Sequence, residues 1–405
     1  MKIVHVQYGA SSSGNYTITL HKLMKSNGVD SSVLALFSNF VPDDPKIQFF
    51  GKLPNLKSRL DHKLQARLNK ENNKEFGNFS YPKFGTDISG HPLVKHADII
   101  YIHWALGGFL NLKSFKKIAE LGKPVVFVIH DMWIFTGGCH YSFECDNFKT
   151  FCRSCQVLPN PSDFDRSSKL FAKKEQFFNS FENLFFVSPS KWMEKNAKSS
   201  ALLKGKSITQ IYNSVSENFQ EMPSKSEKFI KRSNKKIIGF GANYISSPYK
   251  GFKYLLEALQ HLGNRGLNEK YEILVFGSNL SDEVIDKIPF KVHYTGYLSN
   301  ENDICEAYNS MDVFVVSSVA DNLPTTVLES LRCGTAVVGF ETGGIPEMVE
   351  HKMNGYLAKS LSSEDLADGI SYCLEEGLRG KLKAEFADEA IMQSHLDLFA
   401  SLKHK

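Results

Sequence analysis

The sequence predicts an α/β protein of two Rossmann-like domains whose parallel sheets face a central cleft. Short β-branched runs alternate with helical patterns along the whole chain. At 405 residues the chain exceeds one ordinary core. A polar, charged stretch, ENFQEMPSKSEKFIKRSNKK, interrupts the apolar periodicity near the middle. These observations predict a first domain over 1–214, a linker over 215–234 and a second domain over 235–384. A terminal helix from about 385 to 405 should pack back on the first domain. With 42% hydrophobic and 23% charged residues the chain is globular, and a net charge of +4 gives no argument for nucleic acid. No signal-peptide pattern and no run of about 18 uncharged apolar residues is present, so a cytoplasmic protein is expected. Seven cysteines, an odd number, fit a reducing compartment.

In chain order, Lys2–Gln7 reads as a strand by β-branched alternation. A glycine-serine loop from Tyr8 to Gly14 follows, with a helix over about 17–26. Gly9 and Gly14 make that loop a candidate phosphate cradle, without the full spacing of a dinucleotide or P-loop motif. Val29–Leu36 is the next strand. Residues 51–70 then predict a helix with Leu56, Leu60, Leu64 and Leu68 spaced by fours and with Lys52, Arg59, Lys63 and Lys70 along one flank. The stripe is either packed on the domain or applied to an anionic membrane surface. Asp98–His103 and Pro124–Ile129 are strands that deliver His103 and His130 to carboxyl ends, the ligand edge of an open sheet.

Four cysteines crowd GCHYSFECDNFKTFCRSC: Cys139, Cys145, Cys152 and Cys155. The CxxC spacing of the last two suits one tetrahedral ion, and the other two would complete a structural zinc site. Two disulfides, four buried thiols, or a set with His140 as a ligand are the alternatives. Leu184–Ser188 and Ser207–Tyr212 close the first domain.

The second domain opens with the strand Lys236–Phe240 and a turn through Asn243, followed by Lys250-Gly251 at the start of a helix over 253–262. A lysine there opposes the helix dipole unless an anion is bound, which marks Lys250 as a phosphate ligand. Strands at Tyr271–Phe276 and Val292–Tyr294 end in turns at Gly277 and Tyr297. The strand Val313–Val316 then leads into a turn, Asp321-Asn322-Leu323-Pro324, and a helix that Thr325 and Thr326 begin, with Glu329 one turn inside it. The strand Ala336–Phe340 and Gly343-Gly344 complete one βαβ unit. Helix-start N–H groups between two carboxylates could hold an anion beside hydroxyls, as in a sugar nucleotide.

This stretch resembles the donor-binding signature of family 4 glycosyltransferases, in which an acid and a glutamate eight positions on precede a CGTPVV-like strand and GGxxE. Here the matching residues are Asp321 and Glu329, Cys333-Gly334-Thr335-Ala336-Val337-Val338, and Gly343 to Glu347. VIHDMWIFTGGCHY resembles the family's histidine motif at His130, and Lys250-Gly251 its KG pair. Asp321 is shorter than the usual glutamate, Pro324 has no N–H to offer, and Asn243 stands where an arginine is usual.

The resemblance implies a GT-B fold and a retaining hexosyltransferase similar to bacterial surface-polysaccharide enzymes. The implied donor is a UDP- or GDP-sugar and the acceptor a saccharide or polyprenyl-linked saccharide, with no catalytic metal and with peripheral work at the inner membrane face. It places Lys250 on the diphosphate, Thr325 and Thr326 amides on phosphate oxygens, Glu329 on ribose, and Asp321 and His130 at the sugar. By the same resemblance Asn243, Gly277, Tyr297, Asn322 and Leu323 are expected to line the donor. A nucleotide-sugar epimerase on the same fold and a non-catalytic nucleotide-sugar-binding relative are the alternatives.

Overall fold

The computed structural model describes residues 1–10, 16–38, 43–50, 52–231 and 233–402, with side chains from 54 onward in the fourth stretch. The chain forms two compact units, Met1–Ser214 with Asp388–Lys405, and Val215–Ala387.

The first unit holds a seven-stranded sheet: β1 (Lys2–Ala10), β2 (Asp30–Ser38), β3 (Ile47–Phe49), β4 (Ile99–Ile102), β5 (Val125–Val128), β6 (Leu184–Ser188) and β7 (Ile208–Gln210). The order is β3-β2-β1-β4-β5-β6-β7, parallel throughout. Strands buried on both faces must be apolar nearly throughout, which is why the interior ones read IIYI, VVFV and LFFVS. Strand order reverses beside β1, whose neighbours are β2 and β4, so the ligand crevice lies at the carboxyl ends of β1 and β4.

The second unit repeats the scheme with β8 (Lys236–Tyr244), β9 (Tyr271–Ser278), β10 (Lys291–Tyr294), β11 (Val313–Val316), β12 (Ala336–Phe340) and β13 (Gly355–Ala358) in the order β10-β9-β8-β11-β12-β13. Its switch point lies between β8 and β11. The edge strands β3 and β13 have no clear sequence signal. β3 is three residues long, and β13 starts on Gly355, where a Cβ would stand 2.0 Å from the Val337 carbonyl oxygen.

Expectations change at several points, and Asn243 and Gly277, expected in turns, lie in β8 and β9. β1 continues to Ala10, so Gly9 is strand rather than loop, and a Cβ there would meet the Phe37 ring at 2.7 Å. Gly14 lies outside the described residues. Residues 215–234, expected as a linker, pack on the second unit instead. Phe219 is buried against Tyr308, and the Met222 N–H donates to Asn309 Oδ1 at 2.8 Å. One aromatic anchor in a polar run supplies the burial that periodicity could not reveal.

The helix Lys52–Leu68 presents the other surprise, because Leu56 and Leu60 are 54% and 45% exposed while Ser58 and Asp61 are buried. Asp61 Oδ1 accepts the N–H groups of Lys83 and Phe84, and Ser58 Oγ donates to the Gly107 carbonyl at 2.7 Å. Polar side chains thus anchor the helix through hydrogen bonds that satisfy loop backbone, and part of the leucine stripe faces out.

Candidate active site

In the second unit the switch point gathers the predicted donor residues. Lys250 follows β8, Asp321 follows β11, and they pair, Lys250 Nζ donating to Asp321 Oδ2 at 2.7 Å while Ser318 Oγ donates to the same oxygen at 3.2 Å. Burial alone would lower the Lys250 ammonium, but the Asp321 carboxylate overrides it and holds the pKa up, so the lysine is a cation. The Asp321 loop is shaped by close backbone approach. A Cβ on Gly343, whose φ is +59°, would come within 1.7 Å of the Asp321 carbonyl oxygen, and the Gly344 N–H donates to that oxygen. The glycine pair therefore supports the loop through its backbone.

The helix Thr325–Arg332 starts beside Asp321, with Pro324 at its cap position and no side-chain cap bond among the described residues. Its first N–H groups have no intrahelical acceptor, and an anion would satisfy them. Asn322 and Leu323 are buried, while Thr325 and Thr326 are half-buried. Glu329 is buried one turn in, where its Oε2 accepts the Tyr308 hydroxyl at 2.9 Å. Burial pushes its carboxyl up to about 7, against opposing hydrogen bonds from Tyr308 and Thr325. Tyr308 escaped sequence reading because a tyrosine late in the helix Glu301–Ser310 carries no local sign of its partner. Asn243 and Tyr297 are exposed. Gly277 at φ +131° sits where a Cβ would meet the Ala242 carbonyl oxygen at 1.9 Å, and its N–H donates to the Gly296 carbonyl.

In the first unit His103 and His130 follow β4 and β5, and the structure adds His5, which sequence reading passed over. His5 pairs in register with Tyr101, and two-residue periodicity along β4 sets His103 on the same face. The rings form a chain: His5 Nδ1 to His103 Nε2 at 3.0 Å, then His103 Nδ1 to His130 Nε2 at 3.1 Å. Tyr16 stacks edge-on to both His103 and His130. Burial drives His5 and His103 well below the usual imidazole range and lowers His130 to about 4. A histidine inside a β-branched strand is the signal that could have found His5.

The turn after His130 is held tightly. His140 Nδ1 binds Asp131 Oδ2 at 2.6 Å and its Nε2 lies 2.8 Å from Ser80 Oγ, so both ring nitrogens are engaged. Fully buried Lys174 donates to the carbonyls of Trp133 and Thr136 and lies 3.5 Å above the Trp133 ring. Burial raises the thiol pKa of Cys139, Cys152 and Cys155, and Cys152 Sγ accepts the Gly137 N–H at 3.1 Å. Among the described residues no three His, Cys, Asp or Glu side chains gather as a metal ion requires, which leaves zinc supported by cysteine spacing alone. The same residues contain no helix long and apolar enough to cross a membrane.

Two units with parallel sheets have the architecture of the GT-B fold, and the sequence relatives make the chain a glycosyltransferase. Residues 235–376 match the family described as glycosyl transferases group 1, and the second unit carries that domain. The putative colanic acid biosynthesis glycosyl transferase WcaC of Escherichia coli K12 is 26% identical over 332 residues, 78% of this chain and 76% of its own. A Campylobacter jejuni N,N'-diacetylbacillosaminyl-diphospho-undecaprenol alpha-1,3-N-acetylgalactosaminyltransferase is 37% identical over 101 residues, 25% of this chain and 26% of its own. Anabaena Alr3699/HepE, solved with UDP and glucose, has the same fold at TM-score 0.60 and 18% identity over 99% of this chain and 100% of its own.

Proposed function

We propose that the chain moves a hexose-type sugar from a UDP-sugar to a saccharide or polyprenyl-linked acceptor during bacterial polysaccharide assembly, with retention. The observation that carries this is the switch point of the second unit, where Lys250, Asp321 and the start of the helix Thr325–Arg332 surround one place and Glu329 is buried one turn behind. The relatives favour the setting, since WcaC is named for colanic acid biosynthesis and the Campylobacter enzyme for an undecaprenol-linked substrate. The HepE complex favours UDP as carrier.

On this reading the diphosphate takes a share of the Lys250 ammonium from Asp321, and the Thr325 and Thr326 N–H groups bind its oxygens. Charge developing on the leaving diphosphate meets donors already in place. Glu329 accepts ribose hydroxyls, and Asp321 and His130 serve the transferring sugar. A donor phosphate oxygen takes the acceptor proton. The leucines exposed on the helix Lys52–Leu68, with Arg59 and Lys63 also exposed, suit work at the cytoplasmic membrane face. Calorimetric titration with UDP tests the site. Glu329→Ala should weaken UDP by roughly 10- to 100-fold, the scale of a lost charge-assisted hydrogen bond; unchanged affinity would remove Glu329 from the site.

A further inference from the structure

We infer that Tyr308 is a positioning residue of the donor site: its hydroxyl holds Glu329 from the core side and keeps that side chain an acceptor for the ribose of the nucleotide. This rests on the reading of Glu329 as a ribose ligand, and every residue it uses belongs to the second unit. The Tyr308 hydroxyl donates to Glu329 Oε2 at 2.9 Å, across 21 positions of chain, and both side chains are buried.

The tyrosine is set before any ligand arrives. Its ring meets those of Phe219, Phe276 and Phe314 edge to face, with centroids 6.1, 5.6 and 5.1 Å away. Its carbonyl accepts the Thr335 hydroxyl at 2.8 Å, which ties the end of the helix Glu301–Ser310 to the turn before β12. A ring packed against three others has few ways to turn, so the hydroxyl stays where Glu329 lies.

Glu329 needs such a partner. The groups that face it are Tyr308 and Glu301 from the helix Glu301–Ser310, and Thr325 and Cys333 from its own segment; none of these is a cation. Burial favours the protonated carboxyl and Glu301 adds to that, while hydrogen bonds from Tyr308 and Thr325 oppose both. A protonated carboxyl carries a hydrogen on one oxygen and is the poorer acceptor for ribose hydroxyls. Tyr308 thus acts on the nucleotide through the charge of another residue, and its effect must depend on pH.

Calorimetric titration of the full-length protein with UDP, from about pH 6 to about pH 9, tests this on both sides of the Glu329 titration. UDP itself titrates over part of that range, so the quantity to follow is the ratio of wild-type to variant affinity, in which the ligand's own protonation cancels. Tyr308→Phe keeps the ring and removes the donor, and should raise the Glu329 titration by about one pH unit. The wild type should then bind UDP about fivefold more tightly near pH 7, with the ratio approaching one by about pH 9. The same change made in Glu329→Gln should give a ratio that does not vary with pH. If Tyr308→Phe does not fold, 3-fluorotyrosine at position 308, a stronger donor of nearly the same volume, should tighten UDP binding near neutral pH and leave it unchanged in alkali. A ratio that is constant across the range, whether one or larger, overturns the inference and leaves the role of Glu329 standing. If Glu329→Ala binds UDP as tightly as the wild type, that role fails separately and the inference falls with it.

Discussion

Glu329 carries two demands that oppose each other. A buried carboxyl raised to about 7 is more easily protonated in the folded chain than in the unfolded one, where its ordinary value is 4.5. The stability this contributes is complete below the unfolded pKa and is lost as pH rises through about 7. Ribose binding, in contrast, uses the carboxylate as an acceptor. Glu329→Gln keeps an oxygen for the Tyr308 hydroxyl and removes the titration. Its melting temperature should exceed that of the wild type at pH 8 and converge with it in acid, while UDP affinity drops; paired melting curves across pH check the first half and calorimetry the second. Such opposition is ordinary where a site is built from buried polar groups.

Among the elements, the helix Lys52–Leu68 has one face held by hydrogen bonds and another turned outward. Asp61 and Ser58 hold it through backbone groups of other loops, whereas Leu56 and Leu60 face out. Asp61→Ala leaves two N–H groups without that acceptor and should cost about 1–3 kcal/mol in urea unfolding. Leu56→Ser with Leu60→Ser should change stability by no more than about 0.5 kcal/mol per site. The same double variant should bind vesicles of anionic lipid more weakly at low salt, as should charge reversal at Arg59 and Lys63. Sedimentation with vesicles reads this, and equal binding of wild type and both variants would show that the face has another use.

At the scale of the whole molecule, the last helix belongs to the first unit. Asp388–Leu402 buries Ile391, Met392, Leu398, Phe399 and Leu402, and the Tyr101 hydroxyl lies 3.1 Å from His395 Nδ1. Residues 215–387 alone should fold and melt cooperatively, while 1–214 alone should aggregate until 388–405 is supplied as a peptide. The first unit should also be the acid-sensitive one. His5, His103, His130 and His395 are all held neutral by burial, the last with its pKa lowered to about 3. A base with a depressed folded pKa contributes stability that is present above its unfolded value near 6.5 and is lost as pH falls through the folded one. Each such histidine steepens the loss by up to about 1.4 kcal/mol per pH unit. His395→Phe should flatten the acid limb of an unfolding curve followed by circular dichroism.

What the sequence determined by itself was local. Short β-branched runs such as VFVV and AVVGF, the helix signal over Thr325–Arg332, and the spacing of Asp321, Glu329 and Gly343 follow from chemistry between near neighbours in the chain. Short-range patterning therefore marked both sheets and placed Lys250, Asp321, Glu329 and His130 at strand ends or helix starts. Only the tertiary structure decided who meets whom. Lys250 and Asp321 are 71 positions apart, Tyr308 and Glu329 are 21, and His5 and His103 are 98. Which face of the helix Lys52–Leu68 turns inward is also tertiary, because the leucine stripe was outweighed by loop N–H groups and a carbonyl that needed Asp61 and Ser58. Backbone satisfaction across distant loops leaves no periodic trace in sequence, and sheet order, which brings β1 beside β4 and β8 beside β11, is what turned separate motifs into sites.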